Sequence, residues 1–464
     1  MWFDEAATIS ASTHRSLPEL WRLLTHIDAV HGLYYLVMHG WFAVFPATEF
    51  WSRVPSSLAV GTGAAGVVVL SRGFAGRQVS VCAGALYAVL PRMTWAGVEA
   101  RPYAFAAMAA VWLTVLWVTA VRRNTLPLWV GYGLAAVAAT LLNTFSVLML
   151  AVHAVTLGTA RADDSARRRW AITAGVALTV LAPFLWFSQR QIRQVAWIRP
   201  LSPHTVVEIV QQQYFDKSVP FAILAWLLLA VALRRKARYR QLAVLCAAWM
   251  IVPTLATLAY SAMVKPVYYP RYLISTAPAM SIMLALAITT IAGSRRAMVG
   301  LIAALAIAAL PNYVANQRDR YTKEGWDYSA VADVIGAHAR PGDCLLIDNT
   351  TRWLPGPIRA LPAGRPEAFA KLTDPGLGPH RQRLGRLWDG HLGVWALTDQ
   401  LAKCPTIWTI TDHDHHLPAH QAAVMLPPGT RFARTPDGQV LHTLGFHVAE
   451  RWQFTYSQVI KAVR

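Results

Sequence analysis

The chain has 464 residues, of which 55% are hydrophobic and 14% charged, and its mean hydropathy is +0.35. Soluble domains carry about 25% charged residues, so this composition excludes an ordinary soluble protein and predicts a membrane protein. The net charge of +19 suggests a nucleic-acid binder, but much of the basic charge lies in short clusters between apolar runs, such as Arg122-Arg123 and Arg295-Arg296. Such clusters are typical of cytoplasmic loops, and no usual nucleic-acid motif is present, so we expect no nucleic-acid partner.

Apolar segments follow one another along the chain as far as residue 313. They lie near 53–71, 78–92, 104–121, 127–143, 146–160, 170–188, 219–233, 241–262, 272–291 and 297–313. The hydrocarbon core of a bilayer needs about 20 apolar residues per helix, and fewer where a helix is short or re-entrant. Each segment is apolar all round, unlike an amphipathic surface helix. The sequence therefore predicts a mainly α-helical, multi-pass protein of the cell membrane with about ten transmembrane helices.

The loops between these segments indicate an orientation. Arg or Lys occurs in a set of loops at 72–77, 122–126, 161–169, 234–240 and 292–296. These loops alternate with a second set that is poorer in basic residues or more mixed, at 92–103, 144–145, 189–218 and 263–271. The positive-inside rule assigns the basic set to the cytoplasm, so residues 1–52 and the tail are expected outside it. Export of such a first loop normally needs a preceding helix, so we expect the natural protein to have one upstream of residue 1.

The chain changes character after residue 316. Helical spacing follows over 328–339, and short strand-like runs follow at 344–347 and 406–410. We therefore expect two domains, a transmembrane domain with external loops over 1–316 and an extracytoplasmic α/β domain over 317–464. Cys344 and Cys404 both fall in the second domain. Outside the cytoplasm a disulfide between them is plausible, although their spacing alone does not establish it.

Ionisable residues recur at the predicted outer ends of different helices. They are Asp4, Glu5, Asp28, His31, Glu99, Arg101 and Arg271. Ionisable groups at membrane depth are costly, and a substrate path or a catalytic site usually accounts for them. Tyr34, Tyr103 and Tyr272 stand beside them in the sequence, and aromatic rings at an external helix end can flank a sugar or a lipid headgroup. The shared location of these residues predicts a single functional site on the outer face.

Transfer of a sugar from a lipid phosphate would use these residue types. A carboxylate accepts the proton of the incoming hydroxyl while its oxygen attacks the anomeric carbon. Arginine suits the leaving phosphate because its planar fork matches phosphate oxygens. A donor that is already carried by a lipid needs no nucleotide-binding fold, and no Gly-rich phosphate motif occurs in the membrane part.

The stretch from residue 3 to residue 105 resembles the membrane glycosyltransferases of the GT-C superfamily, in the group related to protein O-mannosyltransferases and lipid A aminoarabinose transferases. The residues that carry the resemblance are Asp4-Glu5, Asp28 with His31-Gly-Leu-Tyr-Tyr, Arg53-Val-Pro-Ser, Glu99-Ala-Arg-Pro-Tyr and, late in the membrane part, Pro270-Arg271-Tyr272. The abundance of Ala, Arg and Trp resembles actinobacterial members. The tail resembles the family only in being an external α/β appendage.

The resemblance implies an inverting transferase that uses a polyprenyl-phosphate sugar, with mannose as the first choice and pentoses left open. Asp4 would be the general base, and Glu5 would tune or orient it. Arg101 and Arg271 would hold the donor phosphate, with Glu99 as a second acid. The remaining substrate contacts would be Asp28, His31, Tyr34, Tyr103 and Tyr272. A glycolipid, a polysaccharide or a protein could be the acceptor, and membrane lipids surround the enzyme.

Other interpretations remain open on the sequence. A transporter or flippase of lipid-linked saccharides would carry ionisable residues near the bilayer midplane, often in repeated halves, and no repeat is visible. An inactive relative that binds lipid is a further alternative. Asp28 and His31 leave a divalent cation possible, although two candidate ligands do not make a site. The run Asp412-His413-Asp414-His415-His416 could also bind metal, but adjacent loop residues rarely converge on one ion, and we expect a solvated loop.

Overall fold

The computed structural model describes residues 1–160, 162–235, 239–317, 326–348 and 359–464, so parts of two predicted basic loops, residues 161 and 236–238, lie outside it. The helices before the tail are α1 (Phe3–Ser12), α2 (Leu17–His26), α3 (Gly32–Phe42), α4 (Glu49–Arg72), α5 (Arg77–Val89), α6 (Pro91–Gly97), α7 (Tyr103–Arg123), α8 (Leu126–Leu142), α9 (Leu148–Thr156), α10 (Asp164–Arg190), α11 (His204–Val207), α12 (Val219–Leu233), α13 (Arg240–Met263), α14 (Ala277–Ile291) and α15 (Arg295–Asn316). Short 3-10 helices occur at Ala29–His31, Thr144–Val147, Ile192–Val195 and Pro270–Thr276, and a π-helix at Glu208–Gln212.

The tail adds a small sheet and further helices. Its helices are α16 (Tyr328–His338), α17 (Ala360–Gly364), α18 (Pro366–Phe369), α19 (Arg381–Leu384), α20 (Thr398–Leu401) and α21 (Pro436–Thr443). Its strands are β1 (Cys344–Ile347), β2 (Thr406–Asp412), β3 (His420–Ala422), β4 (His447–Gln453) and β5 (Ser457–Val463). The sheet order is β1-β2-β5-β4-β3, in which only β1 and β2 pair in parallel. The predicted helix at 328–339 and the predicted strands at 344–347 and 406–410 are confirmed.

The predicted mainly helical, polytopic fold is confirmed, and every predicted apolar segment falls on a helix. By length and composition, six helices in the described residues can cross a membrane, namely α4, α7, α10, α13, α14 with its preceding 3-10 turn, and α15. The bent pair α5 and α6, which turns through 59°, can form a seventh span. Three shorter apolar helices lie at Leu126–Leu142, Thr144–Thr156 and Val219–Leu233. The predicted count of about ten requires all of these to cross.

The described chain divides into two compact units. The helical unit comprises residues 28–37 and 53–317, and the sheet unit comprises residues 1–27, 38–52 and the described part of 318–464. The N-terminal residues 1–27 and 38–52 belong to the sheet unit together with the described part of the tail. The division into a transmembrane and an extracytoplasmic domain stays a prediction.

The N-terminal 52 residues, expected to be an external loop, contain the helices α1, α2 and α3. The signal for α2 was present in the sequence. The Ser16 backbone N–H donates to the Glu19 carboxylate at 2.8 Å, which forms part of a capping box. Leu20 and Leu23, three residues apart, are buried on one face of the helix. A cap followed by this spacing is a recognised helix start. Helix α2 was nevertheless not predicted, because it contains no long apolar segment.

Glycine allows close helix contacts in the helical unit. A methyl group added at Gly63 of α4 would lie 2.5 Å from the Tyr87 hydroxyl oxygen of α5, and one added at Gly84 of α5 would lie 2.5 Å from Val68 Cγ2 of α4. No real side-chain carbon tolerates such distances. Gly63 thus leaves room for the Tyr87 side chain of α5, and Gly84 leaves room for the Val68 side chain of α4. Small residues at helix interfaces are common in membrane bundles, where packing replaces the hydrophobic effect.

The sheet of the sheet unit is covered on both faces. In β2, Trp408 and Ile410 belong to a core with residues of α1 and α16, whereas Ile407 belongs to a second core with Leu397 and Phe446. Alternation of successive side chains across a strand produces this two-sided burial. Cys344 and Cys404 form a disulfide in the second core, with Cα atoms 5.9 Å apart, so the pairing that the sequence left plausible is present.

A buried carboxyl group in the sheet unit predicts a pH-dependent stability. Asp437 lies in the first turn of α21, and its Oδ2 has no hydrogen-bond partner among the residues that the structure describes. Burial, together with the Asp348 carboxylate, raises the pKa of Asp437 to about 8. Because the unfolded chain then ionises first, the free energy of unfolding falls as pH rises from about 4 to about 8. Hydrogen exchange of the strand amides in the whole protein, corrected for intrinsic rates, measures this fall.

The variant Asp437→Asn isolates the contribution of this group. Burial also raises the pKa of Asp327, but only to about 6, so most of its effect lies below the upper half of that interval. We expect the variant to lose the decline in stability between about pH 6 and about pH 8 that the wild type shows. Equal declines in both proteins over that interval would contradict the assignment.

Candidate functional site

A strained turn begins the part of the helical unit that carries the predicted site. Asp28 has a φ of +60°, in the left-handed region, which Asp tolerates better than most residues. The following 3-10 helix, Ala29–His31, runs directly into α3. The Asp28 backbone carbonyl accepts a hydrogen bond from His31 N–H at 2.9 Å, and its Oδ2 accepts one from the Tyr35 hydroxyl at 2.7 Å. This turn thus gathers three polar side chains within eight residues.

Arg101 joins this turn from the loop between α6 and α7. Its Nη1 donates to the Tyr35 hydroxyl oxygen at 3.2 Å, and its Nη2 lies 2.9 Å from His31 Nε2. The side chain is only 6% exposed, so the arginine is held inside the protein and not at a solvated surface. The resulting set of Asp28, His31, Tyr35 and Arg101 is called the arginine network below.

The protonation of the arginine network follows from its contacts. Burial holds the pKa of His31 well below its usual value, and the neighbouring charges of Arg101 and Arg271 lower it further. The imidazole is therefore neutral, and because its Nε2 accepts from Arg101, its proton resides on Nδ1. Burial and the Asp28 carboxylate raise the pKa of Tyr35 well above its usual value, so that its phenol also stays neutral.

Arg271 approaches from the 3-10 helix before α14. Its guanidinium carbon lies 4.9 Å from the centre of the Tyr269 ring and 5.8 Å from that of Tyr103, the first residue of α7. Such cation–π contacts orient a guanidinium without neutralising it. Arg271 also lowers the pKa of His31, as Arg101 does. The charges of two buried arginines from separate stretches of the chain therefore act on one histidine.

The other predicted contacts in this unit occupy different settings. Glu99 is fully buried in the loop before α7, where its backbone carbonyl accepts from the Ser56 hydroxyl at 2.6 Å. Tyr34 is fully buried and packs edge-on against Phe105. Tyr272 is half-buried and stacks on Phe145 with ring centres 5.7 Å apart. Their roles in substrate binding stay predictions.

Asp4 and Glu5 belong to the sheet unit. They lie in the first turn of α1, where Asp4 is half-buried and Glu5 is 1% exposed. Helix α1 packs against α17, and Ala6 and Ile9 belong to the core of the sheet unit. The pair is thus carried by an ordered helix, and its catalytic role stays a prediction.

The structure also reveals polar residues that sequence reasoning missed. Tyr35 links Asp28 to Arg101, although only its neighbour Tyr34 was singled out. Arg92 forms a buried ion pair with Asp216 at 2.9 Å. Asp216 has a φ of +45°, and its carbonyl accepts from the Asn312 amide at 2.6 Å. The available signal was a charged residue at the end of an apolar run, since Arg92 is the second residue of α6.

No group of three or more His, Cys, Asp or Glu side chains comes together to hold a metal ion in the described part of the chain. The acidic and histidine-rich run at 412–416, expected to be a solvated loop, is solvated in part, since His415 and His416 are exposed while Asp412 and His413 are half-buried. Asp414 is buried, because its carboxylate accepts from the backbone N–H groups of His416 and Arg431 at 3.1 and 2.9 Å. The Asp414 carboxylate thus accepts hydrogen bonds from nearby backbone N–H groups.

Comparison with known proteins identifies the fold. No protein-family model matches the sequence, and no curated protein does. The structure of ArnT, an aminoarabinose transferase, from Cupriavidus metallidurans in the apo state is similar, with a TM-score of 0.59 and 14% identity over 99% of this chain and 93% of that chain. ArnT from the same organism bound to undecaprenyl phosphate gives a TM-score of 0.58 with the same identity and coverage. The chain therefore has an ArnT-like fold, as the sequence resemblance predicted.

Proposed function

We propose that this protein is a membrane glycosyltransferase that transfers a sugar from a polyprenyl phosphate to a hydroxyl group of a cell-envelope acceptor. The observation that carries the proposal is the buried arginine network with Arg271 beside it. The ArnT-like fold supports it, because that fold belongs to transferases of lipid-linked sugars. We propose mannose as the sugar, and we propose that the transfer occurs on the outer face of the membrane.

The two arginines are proposed to hold the donor phosphate. Guanidinium groups in a dry site bind phosphate oxygens in a fork, and their charge stabilises the leaving phosphate as the glycosidic bond breaks. His31 is neutral and lies against Arg101, so it is proposed to orient that guanidinium without neutralising its charge. The Tyr35 hydroxyl accepts from the same guanidinium and donates to Asp28, so Asp28 acts on Arg101 through Tyr35.

The acceptor hydroxyl is proposed to lose its proton to Asp4 as its oxygen attacks the anomeric carbon. The sugar–phosphate bond breaks with inversion, and the polyprenyl phosphate leaves with the bonding electron pair. Glu5 is proposed to orient Asp4, Glu99 to act as a second acid, and Asp28, Tyr34, Tyr103 and Tyr272 to contact the donor. A glycolipid, a polysaccharide or a protein can supply the hydroxyl. The disulfide of the sheet unit is consistent with its proposed extracytoplasmic location.

The proposal is tested with the full chain in proteoliposomes. The donor is a polyprenyl-phosphate mannose with a radiolabelled sugar, and an envelope extract supplies acceptors. We expect the wild type to transfer the sugar. We expect Arg101→Gln to lower kcat/KM for the donor by about 100-fold or more, because the variant lacks the preorganised positive charge that stabilises the leaving phosphate. Arg295→Gln, at an exposed arginine, is the matched control and should leave transfer unchanged.

Two outcomes would overturn the proposal. Equal transfer by Arg101→Gln and the wild type would show that this arginine does not stabilise the leaving phosphate. Movement of the intact labelled lipid across the vesicle membrane, without sugar transfer from mannose or arabinose donors, would assign the protein to the transporters instead.

A further inference from the structure

A buried glutamine meets both ends of the stretch that carries Arg271. Gln213 is fully buried in the helical unit and directly follows the π-helix Glu208–Gln212. Its Oε1 accepts a hydrogen bond from the Tyr268 hydroxyl at 3.1 Å, and its Nε2 donates to Thr276 Oγ1 at 3.3 Å. Tyr268 stands three residues before Arg271, and Thr276 stands five residues after it. One side chain therefore bridges the two ends of this arginine-bearing stretch.

Separate contacts hold the main chain on both sides of Gln213. Its N–H donates to the Glu208 carbonyl, five residues earlier, at 2.9 Å. This is the hydrogen bond of a π-helix, a turn that occurs frequently at functional sites. The Gln212 carbonyl accepts from Arg92 Nε at 3.1 Å, and the Tyr214 carbonyl accepts from the Arg92 N–H at 3.2 Å. Because Arg92 is the second residue of α6, a separate helix fixes the position from which the Gln213 side chain extends.

Tyr268 depends on the Gln213 amide more than the neighbouring threonines do. Gln213 Nε2 also donates to Thr254 of α13 at 3.0 Å. The hydroxyls of Thr254 and Thr276 each donate to a backbone carbonyl of their own helix at 2.7 Å. Tyr268 is 3% exposed, and in the described part of the chain its hydroxyl donates only to the Gln213 oxygen. A buried hydroxyl without an acceptor is unfavourable, so the Tyr268 ring should move when that oxygen is removed.

A movement of Tyr268 reaches Arg271 through the residue between them. Tyr269 follows Tyr268 directly, and the centre of its ring lies 4.9 Å from the Arg271 guanidinium carbon. The chain then enters the 3-10 helix Pro270–Thr276, which carries Arg271 and ends at the second Gln213 contact. The direction of the guanidinium is therefore set by a stretch of backbone that Gln213 holds at both ends.

We propose that Gln213 is a positioning residue for the Arg271 guanidinium and thereby determines how tightly the donor phosphate binds. This inference rests on the proposed function, which assigns that phosphate to Arg101 and Arg271. Gln213 carries no charge, and in this role it touches no substrate. A planar fork that must match phosphate oxygens loses much of its effect when it is displaced by about 1 Å. The contacts of Gln213 prevent such a displacement.

A double-mutant cycle on phosphate binding tests the inference apart from catalysis. The probe is farnesyl phosphate, which carries no sugar, and the readout is its Kd for the full chain by calorimetry in detergent. Gln213→Met keeps the length of the side chain but removes the amide, and it should raise the Kd about tenfold. Arg271→Gln should raise it by about 30-fold or more. The double variant should match Arg271→Gln within twofold, because Gln213 acts through that arginine.

A second variant and a control complete the cycle. Tyr268→Phe removes only the hydroxyl that donates to Gln213, and it should raise the Kd about threefold, but not in the Arg271→Gln background. Tyr132→Phe is the matched control, because the Tyr132 hydroxyl forms a buried hydrogen bond of 2.8 Å with His153 Nδ1 elsewhere in the helical unit. The control loses a comparable hydrogen bond and should leave the Kd within twofold.

Three results would overturn the inference: no binding of farnesyl phosphate by the wild type, an unchanged Kd in both Gln213→Met and Tyr268→Phe, or the same loss from Gln213→Met with and without Arg271. An equal rise of the Kd in Tyr132→Phe would show that any lost buried hydrogen bond has this effect, and it would likewise overturn the inference. Failure of the proposed function looks different, since the coupling between Gln213 and Arg271 would then persist in the Kd without sugar transfer.

Discussion

The variant Asp4→Asn is expected to lower kcat for sugar transfer by about 100- to 10,000-fold, the usual contribution of a general base. The amide has the shape of the carboxylate but cannot accept the acceptor's proton. Asp4 is half-buried in the first turn of α1, so the exchange removes a charge without creating a cavity. Because a base acts on the acceptor hydroxyl, the KM for the donor should change little. Initial rates in proteoliposomes at saturating donor measure the effect.

A matched exchange separates catalysis from general damage. Asp399 lies exposed in the first turn of the short helix α20, and Asp399→Asn should keep wild-type kcat. The thermal unfolding midpoints of both variants should stay close to that of the wild type. Undiminished kcat in Asp4→Asn would remove Asp4 from the proposed mechanism, while leaving the roles of Arg101 and Arg271 to be judged by their own variants.

Loss of the disulfide between Cys344 and Cys404 is expected to cost the sheet unit about 4 kcal/mol of unfolding free energy. The bond closes a loop between residues 60 apart in sequence, and in the chain-entropy account a loop of this length confers roughly that stability. It also joins the start of β1 to the segment just before β2, which pairs with β1 in parallel. Hydrogen exchange of β1 and β2 amides in Cys344→Ser/Cys404→Ser measures the loss.

The two remaining cysteines provide the control for this measurement. Cys82 and Cys246 are free and buried in the helical unit, so Cys82→Ala/Cys246→Ala should leave exchange in β1 and β2 unchanged. A reductant should reproduce the effect of the double serine variant in the wild type and add nothing to the variant itself. Equal protection of the strands in all these samples would show that the bond contributes no stability.

Much of the fold could be predicted from sequence because hydropathy acts locally. The apolar run at 241–262 corresponds to α13, Arg240–Met263, and the strand-like run at 406–410 lies within β2. The helices of the first 52 residues escaped prediction for a physical reason. They are amphipathic or short, and their stability comes from packing, as in α1 against α17, which no local pattern reveals.

The candidate site was predictable only in its most conspicuous members. Arg101 and Arg271 stand out because a charge beside an apolar helix is costly. Tyr35 did not stand out, since Tyr34 beside it is the same residue type and helix register alone decides which ring reaches Arg101. That register starts from the left-handed backbone of Asp28, which the sequence does not disclose. Asp216, which pairs with Arg92, likewise depends on a turn with positive φ.

The neutral state of His31 has a consequence for acid tolerance. Histidine is the side chain whose ordinary pKa makes its charge follow the medium between about pH 5 and about pH 8. For His31, burial and the charges of Arg101 and Arg271 hold the pKa well below its ordinary value. His31 therefore takes up a proton less readily than an exposed histidine does, and it resists adding a third positive charge beside the two guanidinium groups. Mild acidification should change the charge around Arg101 and Arg271 less than it would around an ordinary histidine.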